Sequence, residues 1–250
     1  MTPQDLTHAT NPHHARPLKV LIPLFKNYNT FDANGPIEII ALADRRPSIK
    51  ENSFAITVCA YTPIITSIER VSIARDISLT EAIDRLEEWD IILLPGGVES
   101  EVSRIVKGWR DRTAAKDSEA FLFMTLLDRY GRERWSEGLT LTICTGSLFI
   151  GGAGLLRGRT ATTHWAALGK LQRLCDESSD LKTKVVRARY VESARDEEMQ
   201  LQRVITAGGV ACGLDAALHL IDITVGAEIS ELVATRMDYS RRGPEVQENC

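Results

Sequence analysis

The sequence has few features that would mark a secreted, metal-binding or membrane protein. Its five cysteines are scattered and include no Cys-x-x-Cys pair, so neither a disulfide framework nor a zinc site is predicted. Its longest apolar runs fall far short of the ~20 residues that a transmembrane helix needs. The N-terminus has no basic region before an apolar stretch, as a secretory signal would. We therefore expect reduced thiols, a cytoplasmic location, no metal and no membrane partner.

The chain also lacks an excess of positive charge, since 30 Lys and Arg residues face 34 Asp and Glu residues. Phosphate binding needs clustered positive charge, so a nucleic-acid partner is not expected. A length of 250 residues, 44% of them hydrophobic, is enough for one sizeable core. We predict a disordered leader over residues 1–16, one domain over 17–238 and a polar tail over 239–250.

Short apolar segments alternate with helical segments along the domain. The strands are predicted at 19–25, 54–61, 90–94, 139–143 and 203–207. The helices are predicted at 35–46, 78–88 (with Thr80 as a cap), 146–156, 165–175 and 210–226, with two more pieces between 98 and 137. This alternation predicts an α/β fold in which helices cover both faces of a mostly parallel sheet.

Three of the predicted strands end in unusual sequence. Asp32 lies in the predicted loop over 26–34, Gly96-Gly97 follows the strand at 90–94, and Cys144 follows the strand at 139–143. In parallel sheets the working groups gather outside the carboxyl ends of the strands. The sequence therefore predicts that a carboxylate, a thiol and free backbone amides come together at one edge of the sheet.

Cys144 stands where an apolar strand runs into a helix rich in small residues. A tight turn there would lift the sulfur above the sheet, as the nucleophile elbow does for serine. The start of the helix would stabilise a thiolate by up to ~2 kcal/mol, or about 1.5 pKa units. We therefore expect a thiol pKa below the free value of ~8.5. The spacing alone is equally consistent with a buried structural cysteine.

The other candidates also have structural interpretations. Asp32 could serve as a helix cap or turn residue, and Glu38 could complement a helix dipole. The Gly96-Gly97 pair could form a plain turn or hold an oxyanion. His164 could act as a general base, although a buried structural role is favoured.

Six motifs in order resemble the ThiJ/PfpI family, within the class I glutamine amidotransferase-like fold. They are Asp-x-x-Gly-Pro-x-Glu at 32–38, Leu-Pro-Gly-Gly at 94–97, Cys-Thr-Gly-Ser at 144–147, Gly-Ala-Gly-Leu-Leu-x-Gly at 152–158, Ala-Thr-Thr-His-Trp at 161–165 and Ala-Gly-Gly-Val-x-x-Gly-Leu-Asp at 207–215. The resemblance covers roughly 18–230. Within the family the motifs are most similar to those of the isonitrile hydratases.

The resemblance implies a flavodoxin-like three-layer sandwich, a homodimer, a small-molecule substrate and no cofactor. It implies that Cys144 is a nucleophile on a strained elbow and that Asp32 lies beside it. The anion pocket would be formed by Gly97 and Thr145. The remaining motif residues would support these groups: Glu38, Gly96 and His164.

Thr145 narrows the chemistry that the resemblance implies. Protease-like relatives carry His directly after the nucleophile, and glutamine amidotransferases use a later His-x-Glu pair. This sequence has Thr145 at the first position and no His-x-Glu, so neither peptide hydrolysis nor glutamine transfer is expected. The segment over 98–137 is longer than in bacterial isonitrile hydratases and is expected beside the mouth of the pocket.

The expected reaction is hydration of an isonitrile to an N-substituted formamide through a covalent thioimidate on Cys144. Asp32 would act as the general acid or base. Repulsion by an adjacent thiolate should raise the Asp32 pKa, so that a protonated carboxyl hydrogen-bonds the sulfur. The alternatives are a glyoxalase-type conversion of methylglyoxal and a non-catalytic domain that senses a ligand or redox state.

Overall fold

The computed structural model describes residues 16–45 and 53–246. The strands, in chain order, are β1 (Leu18–Leu24), β2 (Phe54–Ala60), β3 (Ile64–Thr66), β4 (Ser72–Ala74), β5 (Ile77–Ser78), β6 (Ile91–Leu94), β7 (Leu139–Thr142), β8 (Thr160–Ala161), β9 (Lys184–Val185), β10 (Tyr190–Ser193) and β11 (Arg203–Ala207). The α-helices are α1 (Thr30–Asp44), α2 (Leu79–Asp84), α3 (Glu99–Arg110), α4 (Glu119–Glu133), α5 (Ser147–Gly152), α6 (Leu168–Ser178), α7 (Cys212–Thr224) and α8 (Ala227–Arg236).

Seven strands form one sheet in the order β10-β11-β7-β6-β1-β2-β5. All neighbouring strands in it are parallel except β10, which runs antiparallel to β11. Helices α1, α7 and α8 pack together as one covering layer, and α2 to α6 form the other. The mostly parallel three-layer α/β sandwich is therefore confirmed.

The central strands are apolar because helices cover the sheet on both faces. Every residue of β6 and β7 is buried. The buried rings of Phe25, which follows β1, Phe123 on α4 and Phe149 on α5 pack together, with centroids 4.9 to 5.5 Å apart. This cluster supports the turns that follow β1 and β7, which carry the candidate site.

The first helix begins earlier than the sequence predicts. It starts at Thr30, and the Asn29 side chain caps it by accepting hydrogen bonds from the backbone N–H groups of Phe31 and Asp32. Pro36 therefore lies inside the helix, not in its first turn. As a consequence Asp32 belongs to the first helical turn, and not to a loop.

The structure also differs from the sequence-based prediction in a helix cap, a helix end and a hairpin. Ser78, and not Thr80, caps α2 by accepting from the backbone N–H of Glu81 at 3.1 Å. The helix predicted at 146–156 ends at Gly152 and is followed by left-handed turns at Gly154 and Gly158. The antiparallel hairpin β3–β4 was not predicted, because strands of three residues show no period that sequence reasoning can detect.

The predicted leader and tail fall partly outside the described residues, which omit 1–15 and 247–250. The described part of the tail has no regular secondary structure, but it is held against the domain. The backbone N–H of Arg189 donates to the Pro244 carbonyl at 2.8 Å. The buried Asp215 carboxylate accepts from the Tyr239 hydroxyl and the Arg242 backbone N–H. These contacts anchor the tail to the domain as far as Pro244.

Membrane insertion finds no support in the described part of the chain. None of the helices between residues 16 and 246 combines the length and the apolar character that a membrane crossing needs.

Candidate active site at the carboxyl edge of the sheet

Cys144 lies two residues after the buried end of β7 and has a left-handed backbone, with a φ of 56°. For an L-residue this conformation costs roughly 1–2 kcal/mol, so surrounding contacts must hold it in place. Its backbone N–H donates to the Gly208 carbonyl at 2.9 Å, and the Thr163 hydroxyl donates to its carbonyl at 2.7 Å. The geometry is that of a strained elbow, as the family resemblance implies.

The turn after β6 packs directly onto this elbow. A Cβ added to Gly96 would lie 2.9 Å from the Cys144 Cβ and 2.7 Å from the Thr145 backbone nitrogen. Real Cβ atoms do not approach so closely, and both neighbours belong to the strained turn. Only glycine at position 96 allows the two strand ends to meet.

For the reaction expected from the sequence, replacing Gly96 with alanine should displace the elbow and lower kcat/KM by about 10²-fold, the effect of a misplacement of about 1 Å. Steady-state kinetics and thermal unfolding of the variant measure both consequences. The matched control is Gly169→Ala in α6, where the added Cβ would meet only the end of Arg173, at 3.7 Å. Full activity in Gly96→Ala would show that the elbow tolerates the displacement.

Asp32 enters the site from the first turn of α1 and is fully buried. Its Oδ2 accepts a hydrogen bond from the backbone N–H of Gly96 at 3.2 Å. Its Oδ1 is buried and has no partner of hydrogen-bond geometry among the described residues. The Cys144 thiol is close enough for the two groups to alter each other's pKa. One carboxylate oxygen is thus held by the backbone while the other is left for the reacting atoms.

Burial raises the pKa of Asp32 to about 7, and the negative charge of Glu69 adds to the rise. The Gly96 amide and the nearby Cys144 thiol oppose it, because both stabilise the ionised carboxylate. The sequence-based expectation of a raised pKa is confirmed in direction. Its largest cause is burial, however, and not repulsion by a neighbouring thiolate.

Burial and the Asp32 carboxylate raise the pKa of Cys144 to about 12, although the backbone N–H of Thr145 opposes the rise. The expectation of a pKa below the free value is therefore wrong. The helix beneath the thiol, α5, has only six residues, and the sulfur belongs to a residue that is only 7% exposed. Loss of water around a thiolate outweighs the dipole of so short a helix.

The two groups form a dyad in which each alters the pKa of the other. Between the pKa of Asp32 at about 7 and that of Cys144 at about 12, the dyad holds one proton and one negative charge. In the resting state above pH 7 the proton lies on the sulfur and the charge on the carboxylate. The pair can exchange that proton with a bound molecule without involving solvent.

The predicted anion pocket differs from the observed arrangement. The backbone N–H of Gly97 donates to the Thr145 hydroxyl at 2.9 Å, and that hydroxyl donates to the Gly97 carbonyl at 3.0 Å. The Gly97 amide is therefore occupied by the protein itself. Thr145 contributes its backbone N–H, which acts on the Cys144 sulfur, while its side chain ties the two turns together.

Two further predicted residues are placed away from the dyad. Glu38 lies on the exposed side of α1, where its carboxylate is 3.4 Å from the Arg45 guanidinium. The His164 side chain caps a 3₁₀ turn by accepting from the backbone N–H of Ala166 at 3.3 Å. Its structural role is thereby favoured, and its neighbour Thr163 is the residue that contacts the elbow.

Sequence reasoning missed the groups that hold Asp32 and Cys144 from outside their own loops. Thr163 lies within the Ala-Thr-Thr-His-Trp motif, which could have indicated it. Glu69, in the β3–β4 hairpin, accepts from the Thr30 backbone N–H at 3.0 Å and from its hydroxyl at 2.7 Å. No local signal identifies Glu69, because it contacts a segment about 40 residues earlier in the chain.

A cavity of about 260 Å³ adjoins the back of the elbow. It is lined by the Gly208-Gly209 turn, Thr163, Trp165, Arg187 and Cys212, among others. The long segment over 98–137 forms α3 and α4, and α3 begins two residues after Gly97. Within 16–45 and 53–246, no cluster of three or more His, Cys, Asp and Glu side chains is arranged to hold a metal ion.

Comparison with known proteins identifies relatives in sequence and in structure, although no family model matches the chain. Isonitrile hydratase from Pseudomonas putida is 36% identical over 103 residues, which cover 41% of this chain and 39% of that protein. A Streptomyces lividans protein, described only as an uncharacterized protein in the cpoL 5′ region, is 30% identical over 162 residues. That match covers 64% of this chain and 97% of the relative.

The fold also matches solved structures. The crystal structure of a ThiJ/PfpI family protein from Pseudomonas syringae superposes with a TM-score of 0.66 at 19% identity. The superposition covers 91% of this chain and 77% of that chain. At this identity the likeness concerns the fold.

Proposed function

Because the chain belongs to the ThiJ/PfpI family, we propose that it hydrates an isonitrile to an N-substituted formamide, without a cofactor. The observation that carries the proposal is the buried Asp32–Cys144 dyad on a strained elbow. The reaction named for the Pseudomonas putida relative, with which this chain shares 36% identity over 103 residues, supports the choice of substrate class.

The first step forms a thioimidate. The Asp32 carboxylate takes the thiol proton while the Cys144 sulfur bonds to the terminal carbon of the isonitrile. The same proton then passes from Asp32 to that carbon, giving R–N=CH–S–Cys144. The sulfur and the hydrogen of the thiol have thus both been added to the same carbon, and Asp32 is again ionised. Its unpartnered Oδ1 is the oxygen available for both transfers.

The second step consumes one water. With Asp32 as the base, the water oxygen bonds to the thioimidate carbon and a proton reaches the nitrogen. Collapse of the adduct breaks the carbon–sulfur bond, and the hydroxyl proton returns to sulfur through Asp32. The products are R–NH–CHO and the Cys144 thiol, so the two steps together add one water to the isonitrile. The Thr145 backbone N–H stabilises negative charge on the departing sulfur.

The proposal is tested by incubating the protein with a simple alkyl isonitrile and measuring the formamide by NMR. Methylglyoxal is assayed in parallel, with lactate as the product. We expect formamide and no lactate. Lactate alone would replace the proposal with the glyoxalase-type reaction, and neither product would favour a binding or sensing role. Ready oxidation, which a redox sensor needs, requires a thiolate, and a Cys144 pKa of about 12 leaves little of it at neutral pH.

The pH dependence of turnover follows from the pKa of Asp32. Because the proposed first step needs an ionised carboxylate, kcat/KM should rise with pH and level off above about 7, where Asp32 loses its proton. The plateau should continue well into the alkaline range, because Cys144 retains its proton until about pH 12. A pH–rate profile from 5 to 10 checks this. A rate that falls above pH 7 would indicate that protonated Asp32 is the active form.

Two expectations from the sequence and the family resemblance stay predictions. A cytoplasmic location follows from the use of reduced cysteines, and a homodimer follows from the family.

A further inference from the structure

The β3–β4 hairpin docks onto the segment that leads into α1. The backbone N–H of Asn27 donates to the Thr66 carbonyl at 3.0 Å, and the N–H of Ile68 donates to the Tyr28 carbonyl at 3.0 Å. The Thr30 hydroxyl lies 2.6 Å from the hydroxyl of Ser67, which is buried. The hairpin thus holds the chain immediately before Asp32 by backbone and side-chain contacts.

At the tip of this hairpin the Glu69 carboxylate meets the N-terminus of α1. Its Oε1 accepts from the Asn29 side-chain amide at 2.9 Å, and its Oε2 accepts from Thr30 at both the backbone N–H and the hydroxyl. Asn29 in turn accepts from the next two backbone N–H groups, including that of Asp32. Glu69 and Asn29 together therefore bind the first three amides of the helix.

We propose that Glu69 is a positioning residue for the dyad, which acts on the Asp32 carboxyl through the N-terminal amides of α1 that its own carboxylate binds. The inference rests on the role of Asp32 in the proposed function. A carboxyl in the first turn of a helix is normally favoured in its ionised form by the free amides and dipole there. A carboxylate bound to those same amides cancels that effect.

The charges around Asp32 agree with this assignment. Of the titratable groups, Cys144 and Glu69 act on its carboxyl, and Glu69 raises its pKa. On α7, which packs against α1, Asp215 is paired with Arg189. On α8, Arg236 binds the Arg45 carbonyl at the opposite end of α1. Among the described residues, Glu69 is therefore the charge beyond the dyad itself that acts on Asp32.

The test replaces Glu69 with glutamine, whose amide oxygen can still accept from Thr30 but carries no charge. The pH at half-maximal kcat/KM should fall by about 0.5 unit relative to the unmodified protein, since an exposed charge acts through screened, high-dielectric surroundings. The shift should shrink in 1 M salt, where the Debye length is about 3 Å. A purely structural cap would change neither the midpoint nor its dependence on salt.

Glu38→Gln is the matched control, because Glu38 is also exposed on α1 but pairs with Arg45. It should leave the midpoint unchanged. Glu69→Ala removes the acceptor as well as the charge, so it should also lower Tm by about 2–4 °C, the effect of losing about one cap in a protein of this size. An unchanged midpoint in Glu69→Gln overturns the inference, whatever happens to Tm.

A second readout separates this inference from the proposed function. The rate at which iodoacetamide alkylates Cys144, followed by mass spectrometry, depends on the ionisation of Asp32 and requires no turnover. If the alkylation midpoint falls in Glu69→Gln while no isonitrile is hydrated, the positioning role stands and the proposed reaction fails. If turnover is found and the alkylation midpoints of the two proteins coincide, the reaction stands and the positioning role fails.

Discussion

Replacing Cys144 with alanine is expected to lower formamide production from an alkyl isonitrile by at least about 10⁴-fold, to the background rate. The reason is that no other group can form the covalent thioimidate, and removing a nucleophile abolishes the pathway instead of slowing one step. Alanine accepts the left-handed backbone at the same cost as cysteine and leaves the two elbow hydrogen bonds in place. The fold should therefore persist, as thermal unfolding would show.

The matched control is Cys212→Ala, which removes a half-buried thiol at the start of α7. Its activity should equal that of the unmodified protein. Mass spectrometry during turnover should detect the thioimidate adduct on Cys144 and none on Cys212. Hydration that survives in Cys144→Ala would eliminate covalent catalysis by this thiol and leave the dyad without a role.

Replacing Asp32 with asparagine should lower kcat/KM by about 10²–10⁴-fold, the usual contribution of general acid–base catalysis. The amide can still accept from the Gly96 backbone N–H, so the geometry of the turn is retained, but it cannot take the thiol proton. Loss of the carboxylate charge should also lower the pKa of Cys144, because that charge helps to raise it. Alkylation of Cys144 in the variant should therefore lose the step near pH 7 that Asp32 gives the unmodified protein, and should rise only as the thiol itself ionises.

The same substitution should stabilise the fold at pH 8. Asp32 has a pKa near 3.8 when exposed and about 7 in the folded protein, so folding disfavours its ionised form. The ionised carboxylate then costs up to about 4 kcal/mol above pH 7, at about 1.4 kcal/mol per pKa unit. Stability is lost as pH rises from about 4 to 7. The variant should gain up to about 8–16 °C in Tm at pH 8, at about 2–4 °C per kcal/mol for a chain of this size, and show little difference at pH 4.

Asp44→Asn provides the contrast within the same helix. The Asp44 carboxylate accepts from the backbone N–H groups of Ser53 and Phe54, so its replacement should lower Tm at both pH values. The quantity to compare is the Tm difference between Asp32→Asn and the unmodified protein. If this difference is no larger at pH 8 than at pH 4, the ionised Asp32 carboxylate does not destabilise the fold. Such a result would also remove the basis for the expected pH–rate profile.

Most of the central sheet could be predicted from the sequence. The bounds of β6, β7 and β11 were predicted within a residue or two. Strands that are covered by helices on both faces bury every side chain, so they appear in the sequence as short continuous apolar runs. The order of the motifs also identified Asp32 and Cys144 as candidates, since parallel topology brings strand ends to one edge. The hydrophobic pattern and the order of the motifs are properties of the linear chain, so both can be read directly from the sequence.

Tertiary structure alone decided how the candidate groups behave. The thiol expected to be acidic has a raised pKa, because burial and a carboxylate from α1 outweigh a six-residue helix. The Gly97 amide expected to be free is bound by the Thr145 hydroxyl. Glu69 reaches α1 from a hairpin that has no sequence signature. A pKa and a hydrogen bond depend on distance and loss of water, and both are set by segments that are remote in sequence and meet only when the chain folds.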